Sequence, residues 1–126
     1  MKLLLDTHVL LWWLAASPTL PNQARNLIAA PTNAIFISAV SLWEIWLKVS
    51  LDKLRVPADF EERLADQAFE NLPLMAAHTR AVAQLPWHHR DPFDRMLLAQ
   101  ARVADLMLVT ADDVMAVYGE AVLLVS

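Results

Sequence analysis

The chain has 126 residues, 57% of them hydrophobic and 19% charged, with a net charge of −4 and no cysteine. That length supports one core-forming domain rather than two, and the missing cysteines exclude disulfides and thiolate metal sites and fit a reducing cytoplasm. The negative balance excludes a broad electrostatic grip on nucleic acid, so a substrate of that kind needs a local basic patch.

Charges interrupt the chain too often for a span of about 18 apolar residues, so no membrane segment is expected. The start, MKLLLDTHVLLWWLAASP, has the Lys2 and the small residues 15–17 of a secretion signal, but Asp6 and His8 break its apolar region, and we take it as mature protein.

Leu3 to Leu5 form a continuous apolar run, the pattern of a parallel strand covered on both faces, and Asp6 stops it. His8 to Ala16 is expected to be helical, ended by Ser17-Pro18, and Pro21 to Ala30 forms a second helix. Ala34 to Ser38 is a second buried strand, and a helix follows from Ser41, with Trp43, Trp46 and Leu47 as candidate inward residues. After a loop over Leu51 to Pro57, Ala58 to Glu70 has the spacing of an amphipathic helix, and Asn71 to Leu74 is a short strand limited by Pro73. Ala76 to Leu85 is another helix.

Pro86 to Asp91 forms a loop, and a helix runs to about Val103 with Asp91 as N-cap and Pro92 at its first position. Leu106 to Val109 is a fourth strand, Ala111 to Tyr118 a short helix stopped by Gly119, and Ala121 to Val125 a last strand. Strands alternating with helices predict an α/β fold with a mostly parallel central sheet, helices on both faces and right-handed crossovers.

Four acids stand at joins between strand and helix or near helix starts: Asp6, Glu44, Asp94 and Asp112. Each has a plain structural account. Ser41-x-x-Glu44 has the form of a capping box, Asp91-x-x-Asp94 and Thr110-x-x-Asp113 resemble one, and acids favour the positive ends of helices. Taken together they point elsewhere. The carboxyl ends of parallel strands share one edge, where ligands bind at a topological switch point, so Asp6, Glu44 and Asp112 should converge, with Asp94 joining if its helix enters from the same side. Crowded carboxylates repel unless a cation neutralises them, and hard oxygen ligands suit Mg²⁺ or Mn²⁺, ions that activate water and stabilise charge on a phosphoryl group.

These residues carry a resemblance. DTHVLLWW at 6–13, ISAVSLWEIWLKVSLDKL at 37–54, HRDPFDRMLLAQA at 89–101 and LVTAD at 108–112 are similar, in order and over nearly the whole chain, to PIN-domain proteins, and specifically to ribonuclease toxins of the VapC type from toxin–antitoxin pairs. The resemblance implies a single PIN domain over residues 1–126, with catalytic and metal-holding acids at Asp6, Glu44, Asp94 and Asp112 and with Thr7 and Thr110 as hydroxyl neighbours. It implies a Mg²⁺- or Mn²⁺-dependent endoribonuclease in the cytoplasm, a homodimer bound by a cognate antitoxin, and no DNA binding without that antitoxin. Two positions depart from the pattern: Asp52 stands where related sequences often carry Gly, and Asp113 beside Asp112 leaves the fourth acid's assignment open. The alternative function is a catalytically silent PIN-like module that binds a protein partner.

Other residues have two accounts. His88, His89, Arg90 and Arg95 flank Asp94 and could meet substrate phosphate, or form a solvated loop with Arg95 paired to Asp91. Lys48, Lys53 and Arg55 are expected to be a solvated face. Core packing is the default for Trp12, Trp13, Trp43 and Trp46, with a dimer or antitoxin interface as the middle course and base stacking the least favoured. No histidine pair has His-x₃-His spacing, so zinc is not expected. Phosphoaspartate enzymes of the haloacid-dehalogenase type carry a second Asp where this chain has His8, and a receiver domain wants a Lys after its last strand, where none follows Lys53.

Overall fold

A computed structural model describes all residues, 1–126. In chain order the elements are β1 (Lys2–Leu5), α1 (Thr7–Leu14), α2 (Asn22–Ala29), β2 (Ala34–Ser38), α3 (Ala39–Ser50), α4 (Phe60–Ala65), β3 (Glu70–Leu72), α5 (Ala76–Ala83), α6 (Pro92–Ala104), β4 (Met107–Thr110), α7 (Asp113–Ala116) and β5 (Val122–Leu124). The strands form one sheet in the order β3-β2-β1-β4-β5, and every pair in it is parallel. The expected α/β architecture is therefore present, with a wholly parallel sheet.

β1 explains why the sheet is covered on both sides. Leu3, Leu4 and Leu5 are all fully buried, yet side chains alternate along a strand, so they cannot share a face. Leu3 and Leu5 pack with Ile35, Ile37 and Val109 of neighbouring strands, and with Val9, Ala24, Ile28, Ile45 and Phe60 from α1 to α4. Leu4 and Leu108 pack against Leu97, Leu98 and Ala101 of α6 and against Met115 and Tyr118. Full burial of each such leucine contributes about 1.5–3 kcal/mol. Strand order reverses beside β1, which pairs with β2 on one side (Leu3 opposite Ile35) and with β4 on the other (Leu5 opposite Val109).

Several local expectations are corrected. α3 begins at Ala39, because Ser38 has the extended backbone of an N-cap and its Oγ accepts from Val40 N–H at 2.9 Å. Ser41 is therefore inside the helix, and Ser41-x-x-Glu44 is not a capping box. The inward face of α3 carries Val40, Ser41, Glu44 and Ile45. Trp43, Trp46 and Leu47 lie on its outer face, with Trp43 59% exposed.

The amphipathic pattern over 58–70 overran its helix. α4 stops at Ala65, and Glu70 opens β3, because Phe69 reaches the core from an irregular segment rather than from a helical turn. α7 is likewise shorter than expected: Asp112 caps it by accepting from Val114 N–H at 2.9 Å, so Thr110 is not its cap. Asp52 and Asp105 both adopt left-handed backbone after helix ends, at φ +55° and +58°, a conformation Asp tolerates better than most side chains. The expected stop at Gly119 is a residue at φ +73° beyond the end of α7.

Candidate active site

Asp6 emerges directly from β1, and its N–H continues the ladder to Val109 O at 3.0 Å. It occupies the N-cap position of α1, yet its side chain makes no capping bond. Instead Oδ2 accepts from Thr110 Oγ1 at 2.8 Å, while Oδ1 is buried without a hydrogen-bond partner. Burial pushes the Asp6 carboxyl up, the charge of Glu44 adds to that, and the Thr110 bond and the charge of His8 oppose it.

Glu44 is turned inward by the register of α3 and is 2% exposed. Lys48, one turn later, meets Oε2 at 2.6 Å, and Oε1 is buried without a partner. The bond to Glu44 raises the Lys48 ammonium, and Asp91 and Asp94 raise it further by their charge. The Thr7 hydroxyl is engaged elsewhere: its Oγ1 donates to Ser41 Oγ at 3.0 Å and ties α1 to α3, while the Thr7 backbone N–H favours the charged form of Asp6.

Asp94 is set by the start of α6. Asp91 caps that helix through Phe93 N–H at 2.8 Å and Asp94 N–H at 3.2 Å, so Asp94 is free of the capping role. Its Oδ2 lies 2.8 Å from His89 Nε2. Burial, and next the charge of Asp6, push the Asp94 carboxyl up to about 6. His89 Nε2 is also 3.7 Å from Asp112 Oδ2, and donor atoms of His89, Asp94 and Asp112 all lie within 4.8 Å of one another.

The capping account thus holds for Asp112 and fails for Asp6, Glu44 and Asp94. The four acids stand as two linked halves: Asp94 and Asp112 are bridged by His89, and Asp6 and Glu44 each keep a bare buried oxygen. Repulsion between Asp6 and Asp94, and between Asp6 and Glu44, places the halves in one electrostatic unit. A buried carboxylate oxygen without a partner is costly, and a cation bound beside it would offset that cost. The donors are hard carboxylate oxygens, with the imidazoles of His89 and His8 nearby, a set that fits Mg²⁺ or Mn²⁺.

Of the basic residues expected near Asp94, Arg90 is exposed. Arg95 is not available to substrate. It is 3% exposed, and its guanidinium donates to Pro86 O, Val82 O, Leu85 O and Tyr118 Oη and lies 3.7 Å from the centre of the Trp87 ring. Its place is decided by the loop it anchors, and it does not pair with Asp91. Sequence reasoning missed His89 as the bridge between two acids and Lys48 as the partner of Glu44. The i,i+4 spacing of Glu44 and Lys48 was a usable signal; nothing in the sequence aimed His89 at Asp112.

The PIN domain family model matches residues 3–121. No curated protein matches the chain. Among solved structures, it is similar to VapBC2 from Rickettsia felis, bound to a DNA fragment from its promoter, with a TM-score of 0.71 and 18% identity over 98% of this chain and 97% of that one. It is also similar to FitAcB from Neisseria gonorrhoeae, with a TM-score of 0.69 and 21% identity over 95% of each chain. A toxin–antitoxin complex from Klebsiella pneumoniae gives a TM-score of 0.65 and 18% identity over 95% of this chain and 94% of that one. With the family model spanning almost the whole chain and the acids gathered at the switch point of a parallel sheet, this protein belongs to the PIN domain family.

Proposed function

We propose that the protein is a metal-dependent endoribonuclease that acts as the toxin of a toxin–antitoxin pair. The observation that carries this reading is the pair of buried, unpartnered oxygens, Asp6 Oδ1 and Glu44 Oε1, beside an Asp94 carboxyl pushed up to about 6. Asp6, Glu44, Asp94 and Asp112 would hold Mg²⁺ or Mn²⁺. When bound, such an ion makes water a better nucleophile at neutral pH and offsets charge on a phosphoryl group.

The chain's own residues prepare that site. Thr110 occupies one oxygen of Asp6 and leaves the other without a partner, while Asp112 N–H donates to Thr110 Oγ1 at 3.1 Å and holds that hydroxyl in place. The Thr7–Ser41 bond fixes α3 against α1, and with it the direction of Glu44. Arg90 is exposed and follows His89 in the chain, which supports a contact with a substrate phosphate.

Similarity to structures solved as toxin–antitoxin complexes supports a cognate antitoxin as partner. The outward apolar face of α3, with Trp43, Trp46, Leu47 and then Leu51 exposed, supports pairing with a second copy of the chain.

A silent binding module is favoured by one observation: Lys48 and His89 already lie against three of the four acids. They leave Asp6 Oδ1 bare, which a purely structural site has no reason to retain. Incubating the purified protein with single-stranded and folded RNAs separates the two. Cleavage at discrete sites with Mn²⁺ or Mg²⁺, abolished by EDTA and by Asp6→Asn, is expected. RNA left intact under every metal condition would overturn the enzymatic reading.

A further inference from the structure

Beside Glu44 a cavity of about 240 Å³ opens between α1 and the end of α3, lined by Thr7, His8, Glu44, Lys48 and Lys53 over an apolar floor that includes Leu54. It shares Thr7 and Glu44 with the acid site, and the charge of His8 reaches Asp6. Its far wall is basic.

Lys48 is 37% exposed at its side chain and gives one ammonium donor to Glu44, which leaves others for a second acceptor. Lys53 is brought there by backbone geometry. Asp52 turns the chain at φ +55°, and Lys53 N–H then bonds back to Lys48 O at 2.9 Å, a six-to-one closure that folds the loop over the last turn of α3. The departure at Asp52 therefore keeps the turn that a glycine would make, and it sets two lysines on one wall. The expectation of a solvated basic face fails for Lys48, which is bonded to Glu44, while Lys53 is exposed as expected.

We infer that this cavity is a subsite for a backbone phosphate of the nucleic acid, one step along the strand from the phosphate presented to the acids. One lysine bonded to Glu44 and a second lining the same cavity fit a chain of evenly spaced anions: one phosphate lies against the lysines while its neighbour meets the acid cluster. An isolated cation has no reason to enter a wall of lysines. In a protein of net charge −4 this wall also supplies the local patch that RNA binding needs. The inference rests on the nuclease reading, because continuity with the acids is what selects a nucleic-acid phosphate over a free one.

The test is fluorescence anisotropy of a labelled single-stranded RNA in EDTA, over a series of salt concentrations, with wild type, Lys53→Ala and Lys53→Arg. Removing one lysine–phosphate pairing lowers the slope of log K against log salt by about 0.7 for single strands. Lys53→Ala should lose about that much slope, and Lys53→Arg should retain it. Adding Lys48→Met to Lys53→Ala should lower the slope further. Unchanged slopes in a protein that does cut RNA would overturn the subsite and leave the nuclease reading standing. Reduced slopes in a protein that cuts no RNA under any metal would uphold the subsite and sink the nuclease reading. Millimolar inorganic phosphate should displace RNA only weakly; phosphate that competes as tightly as RNA itself would show a free-anion site and overturn the proposal.

Discussion

Thr110 Oγ1 donates to Asp6 Oδ2 at 2.8 Å across 104 residues of sequence, joining the carboxyl ends of β4 and β1 where strand order reverses. Both residues are buried, so the bond is made where water cannot replace it. Replacing Thr110 by Val keeps the shape and leaves a second Asp6 oxygen unpaired. That should cost about 1–3 kcal/mol and push the Asp6 carboxyl higher still. Urea denaturation of Thr110→Val and Thr110→Ser measures it, with Ser expected near wild type. A Val variant as stable as the Ser variant would remove this bond from the account.

Asp94 separates a charge-crowded site from a helix cap. Its carboxyl titrates at about 6 instead of 3.8, so its contribution to stability is fully present below 3.8 and is lost as pH rises through 6. Asp94→Asn should therefore make the metal-free protein more stable at pH 8, by at most about 3 kcal/mol since the His89 bond is weakened too. Wild type should gain about 2.7 kcal/mol at a hundredfold excess of Mg²⁺ or Mn²⁺ over its dissociation constant, and the variant less, with RNA cleavage lost in step. Thermal melts with and without metal decide. A variant destabilised without metal and stabilised by metal as much as wild type contradicts a shared acidic site.

His78 should give a pH dependence of opposite sign. It is 4% exposed, its Nδ1 accepts from Met75 N–H at 3.0 Å, and burial pushes its ring below the usual 6.5. The unfolded chain then binds a proton more readily than the folded one. Stability from this residue is present above 6.5 and falls as pH drops through the unfolded value toward the folded one. Melting temperatures between pH 8 and 5 should show more of this loss in Asp94→Asn, where one of the two compensating raised carboxyls, Asp94 and Asp6, is gone, and that loss should disappear when His78→Gln is added. A double variant with the same acid limb as the single one would place the titration elsewhere.

Arg95 predicts a structural defect with a functional consequence. Lys in its place reaches too few of the four acceptors that Arg95 now satisfies, because an ammonium lacks the planar fork. Arg95→Lys should cost about 2–4 kcal/mol through carbonyls left unpaired under the 86–91 loop. Tyr118 Oη also accepts from His89 N–H at 3.1 Å, so loosening this anchor should disturb His89 and slow RNA cleavage beyond the stability loss. Denaturation midpoints and cleavage rates well below the midpoint measure the two effects. A variant within about 0.5 kcal/mol of wild type would show that the carbonyls find other donors.

Local chemistry alone determined a good part of this protein. The unbroken run Leu3–Leu5 could only be a strand covered on both faces, and Asp91-Pro92 could hardly be anything but a helix start; both stand in the structure as the residues demand. The placing of acids at the ends of such runs followed from the same reasoning, since parallel strands deliver their carboxyl ends to one edge. Tertiary structure decided the rest. α3 is apolar around most of its circumference, so its pattern could not say whether the tryptophans or Val40 and Ile45 face inward, and packing across α1 and α6 settled it in favour of the face that buries Glu44. The roles of His89, Lys48 and Arg95 were equally hidden, because each depends on which carboxylate or carbonyl lies within about 3 Å, a distance that hydrogen bonding requires and sequence spacing does not encode.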